Sequence, residues 1–293
     1  MNDLRDATIW WNAILSETFP PTKDQPVSWW QGLFLGILQG LTEFLPVSSS
    51  GHLALAQMTL GRLGLAFHQP GVVFDAMLHV GTATAVVWSE RKQLGRWLTT
   101  VDGRRLLGLL VLGTLATAVV AFPLKDRATA AFEQPMVVGV CLVITGVVVF
   151  STRIFGRGHH TEATTSWKHA ALVGLVQGLA VFPGISRSGA TITACLGTGL
   201  DRAWAARFSF LMSVPAIAGA TLVELVSERE ALAVAGNGFW GSTIIGGVAA
   251  AVTGLVALRL VIRMVSSRIF DRFAWYCLPL GTAVIALAAA GVL

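Results

Sequence analysis

Charge is what this sequence has least of. Only 13% of its 293 residues are Asp, Glu, Lys or Arg, against 54% hydrophobic, and the mean hydropathy is +0.68. A soluble domain carries about 25% charged residues, so an ordinary globule in water is excluded. A disordered chain is excluded too, because it needs low hydrophobicity and high charge. Cysteine is scarce: Cys141, Cys195 and Cys277 each fall inside an apolar run without metal-ligand spacing, so no disulfide or redox role is expected. The first 27 residues, with Asp3, Asp6 and Glu17, lack the basic and apolar regions of a cleaved signal peptide. The net charge of +5 arises from basic residues in short breaks between apolar runs. That is the pattern of membrane topology, not of nucleic-acid binding. The 31 glycines and abundant alanine fit helices packed closely in lipid. An all-α polytopic membrane protein is what remains.

Six charge-poor stretches, roughly 72–89, 104–122, 136–152, 203–226, 240–264 and 273–293, approach the ~20 residues that a bilayer crossing requires. Two further apolar regions, 30–61 and 169–199, are each broken by Pro, Gly and Ser, at Leu45–Gly51 and at Phe182–Gly189. Their halves, at ~15 residues or roughly 22 Å, are too short to cross comfortably. The pattern predicts re-entrant helical hairpins whose irregular tips are buried in protein or line a polar cavity. The two regions are also copies. Aligning Gly36–Leu53 with Gly174–Thr191 gives eight identities in eighteen positions without gaps, including Gln39/Gln177, Ser48/Ser186 and Ser50/Ser188. Each repeat is therefore one hairpin followed by three spans: 28–152 and 153–293, after a polar or interfacial segment over 1–27. Because three is odd, the second hairpin is expected to enter from the opposite face, giving inverted repeats whose tips meet.

The breaks 90–105, 153–168, 200–207 and 263–272 hold thirteen Lys and Arg, and the opposite side holds six. The positive-inside rule assigns the first set to the cytoplasm, so the first hairpin opens outward.

Between Asp24 and Arg62 only Glu43 and His52 can carry charge, and between His169 and Asp201 only Arg187. A charged side chain at mid-bilayer costs roughly 2.5–3.5 kcal/mol on insertion scales, so these three mark a site. The competing reading is a structural Glu–Arg pair locking the repeats. After each break a half-helix begins at Ser-Ser-Ser-Gly or Ser-Arg-Ser-Gly. Free N–H groups and Ser hydroxyls at two such starts, with the fork of Arg187, make an anion cradle for more than one phosphate. The copies differ where chemistry would sit: Val181, Arg187 and Ala190 stand in place of Glu43, Ser49 and His52. Gln39 and Glu43, four apart, share a helix face. Asp75 and His79, also four apart, are either further site residues or merely interfacial.

The run from Gln39 through Glu43 and Pro46 to His52 resembles the (E/Q)xxxE and PVSSxGH signature of the undecaprenyl-diphosphate phosphatase family, the bacitracin-resistance proteins. Pro183–Thr191 resembles the same family's PGxSRSGAT signature. The resemblance covers the chain beyond its N-terminal segment. It implies hydrolysis of undecaprenyl diphosphate to the monophosphate carrier lipid of cell-wall synthesis, in a multi-pass protein of the bacterial inner membrane. It also implies a divalent cation (Mg2+ or Ca2+), a periplasm-facing site and dimers. Gln39 stands where the family often has Glu, which weakens it as acid, base or metal ligand. The candidate catalytic residues are Glu43, Ser49, His52 and Arg187, with Glu43 also a candidate metal ligand. Gln39, Ser48, Ser50, Gly51, Ser186, Ser188, Gly189 and Thr191 are the candidate substrate-binding set. The nucleophile is open between Ser49, with His52 or Glu43 as base, and His52 itself. A lipid-phosphate or anion transporter is the alternative, since broken helices in inverted repeats are a transporter architecture. The other large lipid-phosphatase superfamily is excluded: Ser50-Gly51-His52 lacks its preceding Pro, and Thr193 stands where its His would follow Arg187.

Overall fold

The structure, a computed structural model, describes residues 27–62, 72–229 and 237–293. The N-terminal segment expected over 1–27 lies almost wholly outside these residues. Ten α-helices are described: α1 Trp29–Phe44, α2 Ser49–Arg62, α3 Val72–Thr99, α4 Val101–Ala131, α5 Pro135–Phe150, α6 Trp167–Leu179, α7 Arg187–Gly197, α8 Arg202–Ser227, α9 Asn237–Ser266 and α10 Ala274–Ala289. Short 3-10 turns, Ser151–Ile154 and Phe270–Phe273, flank α5 and α10. Among the described residues there is no strand, only one isolated bridge between His160 and Leu200.

The six expected spans coincide with α3, α4, α5, α8, α9 and α10. Five of these regions are long and apolar enough to cross a bilayer. The sixth, α3, is long enough but carries Asp75, Glu90, Arg91, Lys92 and Arg96 within its 28 residues. The two broken regions are the helix pairs α1/α2 and α6/α7, with half-helices of 16, 14, 13 and 11 residues.

Their incoming helices start alike. The Ser28 N–H donates to Gln31 Oε1 at 2.8 Å, and the Ser166 N–H donates to His169 Nδ1 at 2.9 Å. In each case the third residue of the helix reaches back to an otherwise unpaired donor, a capping interaction. Each incoming helix then lies against a span of the other repeat: α1 on α9, and α6 on α4. Glycine permits both approaches. A Cβ on Gly36 would run into the Gly246 carbonyl, and one on its counterpart Gly174 into the Gly113 carbonyl. Without a hydrophobic drive between helices in lipid, such backbone proximity is what holds them. Spans α3 and α8 also pack on each other, as do α5 and α10, so these four pairings all cross from one repeat to the other. The main core gathers around Phe44, Trp97, Trp204, Phe208 and Phe210. Phe44 meets Phe210 edge-on, with ring centroids 5.2 Å apart. The two tips are thereby enclosed by protein.

Candidate active site

Hydrogen bonds tie the tips to each other and to their surroundings. Ser48 Oγ accepts from its own Gly51 N–H at 3.2 Å and from the Gly184 N–H of the other tip at 3.0 Å. Ser188 Oγ donates across to the Leu45 carbonyl at 3.1 Å. The Cys277 thiol lies 3.3 Å from the Pro46 carbonyl and donates to it. Such tight joining demands unusual backbone: Ser48 has φ 68 and Gly184 φ 99. Gly184 is a residue type that adopts this conformation freely. Ser48 is not, and its double acceptor role is what holds it there. Gly51 faces the same junction, where an added Cβ would come within 3.0 Å of Gly184 Cα.

Ser186 is the counterpart of Ser48. Its Oγ accepts from the Gly189 N–H at 3.1 Å, and its own N–H donates to Thr145 Oγ1 at 2.9 Å. Both tips therefore carry the same N-cap and start a half-helix at the next residue, Ser49 or Arg187. Ser50 Oγ lies 3.3 Å from Ser48 Oγ, and Ser188 Oγ lies 3.2 Å from Ser186 Oγ. Thr191, fully buried, donates to the Arg187 carbonyl at 2.7 Å and pairs with Ser209 Oγ at 2.6 Å. Of the expected substrate-binding set, Ser48, Ser186, Ser188 and Thr191 thus use their hydroxyls on protein partners. The Gly51 and Gly189 N–H groups are likewise taken up within the caps.

The charged residues converge at this junction. Glu43, on the last turn of α1, is buried, and its Oε1 accepts from Arg187 at 2.5 Å. Its Oε2 accepts from Gln39 Nε2 at 2.9 Å and, by a short contact, from Ser49 Oγ. A carboxylate from one repeat, a guanidinium from the other and a hydroxyl at the start of α2 therefore form one unit. Pairing makes burial of both charges tolerable. Arg187 NH1 and Gln39 Oε1 are buried and have no partner among the described residues. Buried polar groups without partners are uncommon and ask for an explanation. A phosphoryl oxygen on NH1 would supply one.

His52 faces elsewhere. Its Nδ1 lies 2.8 Å from the Ser48 carbonyl, which can only accept, so Nδ1 carries the proton. In the neutral ring Nε2 is then the acceptor, and Tyr276 Oη donates to it at 2.7 Å. The rings stack at 5.7 Å with 13° between planes. Neither nitrogen is bonded to Ser49.

Sequence reasoning left one participant undecided and missed another. His79 Nε2 lies 3.8 Å from Glu43 Oε2, and its Nδ1 donates to the Asp75 carbonyl at 2.9 Å. The structure therefore brings His79 into the site, and its spacing in an apolar span was the signal. Asp75, one turn before His79, turns its carboxyl to the side chain of Gln57 on α2. Tyr276 gave no signal beyond being the single tyrosine of the chain, and only packing of α10 brings it to His52.

Known proteins resemble this chain over most of its length. The family model for "Bacitracin resistance protein BacA" matches residues 32–283. A protein of Desulfosudis oleivorans named undecaprenyl-diphosphatase is 43% identical over 273 residues, covering 86% of this chain and 95% of that protein. One of Methanosphaera stadtmanae with the same name is 35% identical, covering 87% and 96%. Undecaprenyl-diphosphatase 2 of Streptomyces coelicolor is 34% identical, covering 91% and 97%. The match covers both tips and five spans and runs into the sixth, and the chain belongs to the bacitracin resistance protein BacA family.

Proposed function

We propose that this protein is a membrane phosphatase that removes the terminal phosphate of undecaprenyl diphosphate, regenerating the monophosphate carrier lipid and thereby conferring bacitracin resistance. The observation that carries the reading is the Ser49–Glu43–Arg187 unit, assembled from both tips at the starts of two half-helices. The names of the relatives agree with it. No observation favours the transporter alternative.

In this reading the diphosphate lies against the N–H groups of α2 and α7, and Arg187 binds a phosphoryl oxygen through NH1. Phosphoryl transfer asks chiefly for position and charge stabilisation, which these donors supply. Ser49 is the nucleophile. Its proton passes to Glu43 Oε2 as Oγ attacks the terminal phosphorus. The bond to the bridging oxygen breaks, and the lipid monophosphate leaves with the proton from Glu43. Water then attacks the phosphoserine with Glu43 again taking the proton, which releases phosphate and restores Ser49. Glu43 rather than His52 is the base because Ser49 bonds to Glu43, whereas the His52 nitrogens are turned to Ser48 and Tyr276.

A divalent cation, Mg2+ or Ca2+, belongs to the same proposal. Such hard ions take oxygen ligands, and Mg2+ is held through one or two carboxylates together with substrate phosphates. Gln39 Oε1 is a buried unpartnered oxygen of the required type, whereas the Asp75 carboxyl is turned to Gln57. Both Glu43 oxygens, by contrast, are already bonded within the protein. Among the described residues no three His, Cys, Asp or Glu side chains converge on one point. The residues present therefore offer no ready protein cage, and the ion would arrive with the diphosphate, whose oxygens would supply most of its ligands beside Glu43 and Gln39. When bound it would neutralise phosphate charge.

The inverted relation of repeats 28–152 and 153–293, a periplasm-facing site and a dimer complete the proposal. Support for inversion comes from the crosswise packing of α1 on α9 and α6 on α4. Support for orientation comes from the thirteen basic residues on the other side. Phosphate release by purified protein from C55 and C15 diphosphates, with and without chelator, tests the activity. Intact diphosphate after incubation with cation would overturn it.

A further inference from the structure

Away from the two tips, the 3-10 turns before α10 and after α5 enclose a cavity of about 480 Å3. Arg153, Arg202, Arg268 and Arg272 line it, against a single acid, Asp271. That acid is already engaged, with Arg153 Nε 3.7 Å from its Oδ2. Arg202 is buried and fixed: NH2 donates to the Phe155 carbonyl at 2.7 Å and NH1 to the Val265 carbonyl at 3.5 Å. Carbonyls orient a guanidinium without cancelling its charge. Arg268 is held at φ 59, a backbone conformation rare for residues with a Cβ. It is the left-handed cap that ends α9, where the Ile269 N–H donates to the Met264 carbonyl at 3.1 Å, and it fixes where the Arg268 side chain starts. Four guanidiniums around one cavity repel one another unless an anion sits among them.

The rim points to the anion. Trp275, which lines the cavity, is 71% exposed, and Ile154 beside Arg153 is 80% exposed. In a membrane protein these apolar surfaces face lipid, and tryptophan favours the headgroup level. We infer that this cavity is a binding site for an anionic phospholipid: its phosphodiester lies among Arg268, Arg272 and Arg202, and its acyl chains run along Trp275 and Ile154. Guanidinium forks match phosphate oxygens, and basic pockets between membrane helices recognise acidic headgroups. A second basic cavity, of about 360 Å3, contains Lys92, Arg96, Arg207, Arg259 and Arg263, and its acid Glu90 likewise pairs with an arginine, Arg207, but no tryptophan lines it. It serves as an internal control.

The test is native mass spectrometry of the purified full chain in detergent with equimolar phosphatidylglycerol and phosphatidylethanolamine. Preferential retention of phosphatidylglycerol is expected. At about fivefold for each basic residue lost, R268Q/R272Q should lower that retention roughly 25-fold. K92Q/R96Q, the same charge loss at the other cavity, should leave it within about twofold. Arg268 and Arg272 are exposed, so the double variant should fold. If it does not, Arg272→Gln alone should show the fivefold loss. Equal retention of the two lipids, or equal losses in both double variants, overturns the site. So does thermal stabilisation by inorganic phosphate, dependent on Arg268 and Arg272, without retention of phosphatidylglycerol, since the cavity would then hold a free ion and not a lipid.

Discussion

At the first tip α1 runs to Phe44, whereas at the second α6 stops at Leu179, three residues earlier in the aligned register. The extra turn carries Glu43, and the second tip has Val181 in that place, already outside the helix. Part of the cause is local. A residue before proline is pushed out of the helical region. Pro183 stands opposite Leu45, one position ahead of Pro46, so the second chain must leave its helix sooner. The connection lengthens accordingly, from residues 45–48 to 180–186. Gln39 and its copy Gln177 diverge in partner as a result: the first bonds Glu43, the second donates to Thr117 Oγ1 at 3.0 Å. Both tips kept the N-cap serine and the half-helix start. Only one kept or acquired a carboxylate, a hydroxyl and an imidazole, and the other supplies the guanidinium. Duplication gave the two tips their shared caps, and divergence at three positions, Glu43/Val181, Ser49/Arg187 and His52/Ala190, gave them different chemistry.

The largest effects should come from breaking the one charged contact between the tips. Glu43→Gln keeps the shape but removes the base, and phosphate release should fall by about 100- to 10,000-fold. Arg187→Lys keeps the charge but loses the fork, with a loss of about 100-fold or more. Steady-state assays on the purified variants check both. Near-normal turnover in either would reduce the pair to a structural lock.

A second experiment sharpens the division of labour within the first tip. Ser49→Ala should approach the loss of Glu43→Gln, and His52→Ala should lose less, about 10- to 100-fold. Phosphoserine trapped from labelled substrate would support the order. A serine variant that keeps most of its turnover, beside an inactive histidine variant, would transfer the nucleophile to His52.

The smallest expected change is at Tyr276. Tyr276→Phe keeps the ring stacked on His52 and removes one hydrogen bond, worth about 1 kcal/mol, so activity should fall no more than about fivefold. A loss as large as that of His52→Ala would mean that Tyr276 acts on substrate directly.

The sequence by itself determined the membrane class, the spans and the duplicated hairpins, because hydropathy, breaks and repeats are written residue by residue. It also singled out Glu43, His52 and Arg187, since an ionisable group in an apolar run is conspicuous without coordinates, and Ser49 through its place opposite Arg187 in the repeat. Gln39 beside Glu43 followed from helical spacing alone. What one chain position cannot reveal is which distant group completes its hydrogen bonds. Ser48 as a fastener to Gly184, Ser188 bonded to Leu45, His79 beside Glu43 and Tyr276 on His52 all depend on elements far apart in sequence. Local pattern is silent there because these partnerships are set by how helices pack. The assignment of Ser49 to Glu43 instead of His52 was likewise decided by tertiary structure: buried polar groups must find partners, and packing offered each of them a different one.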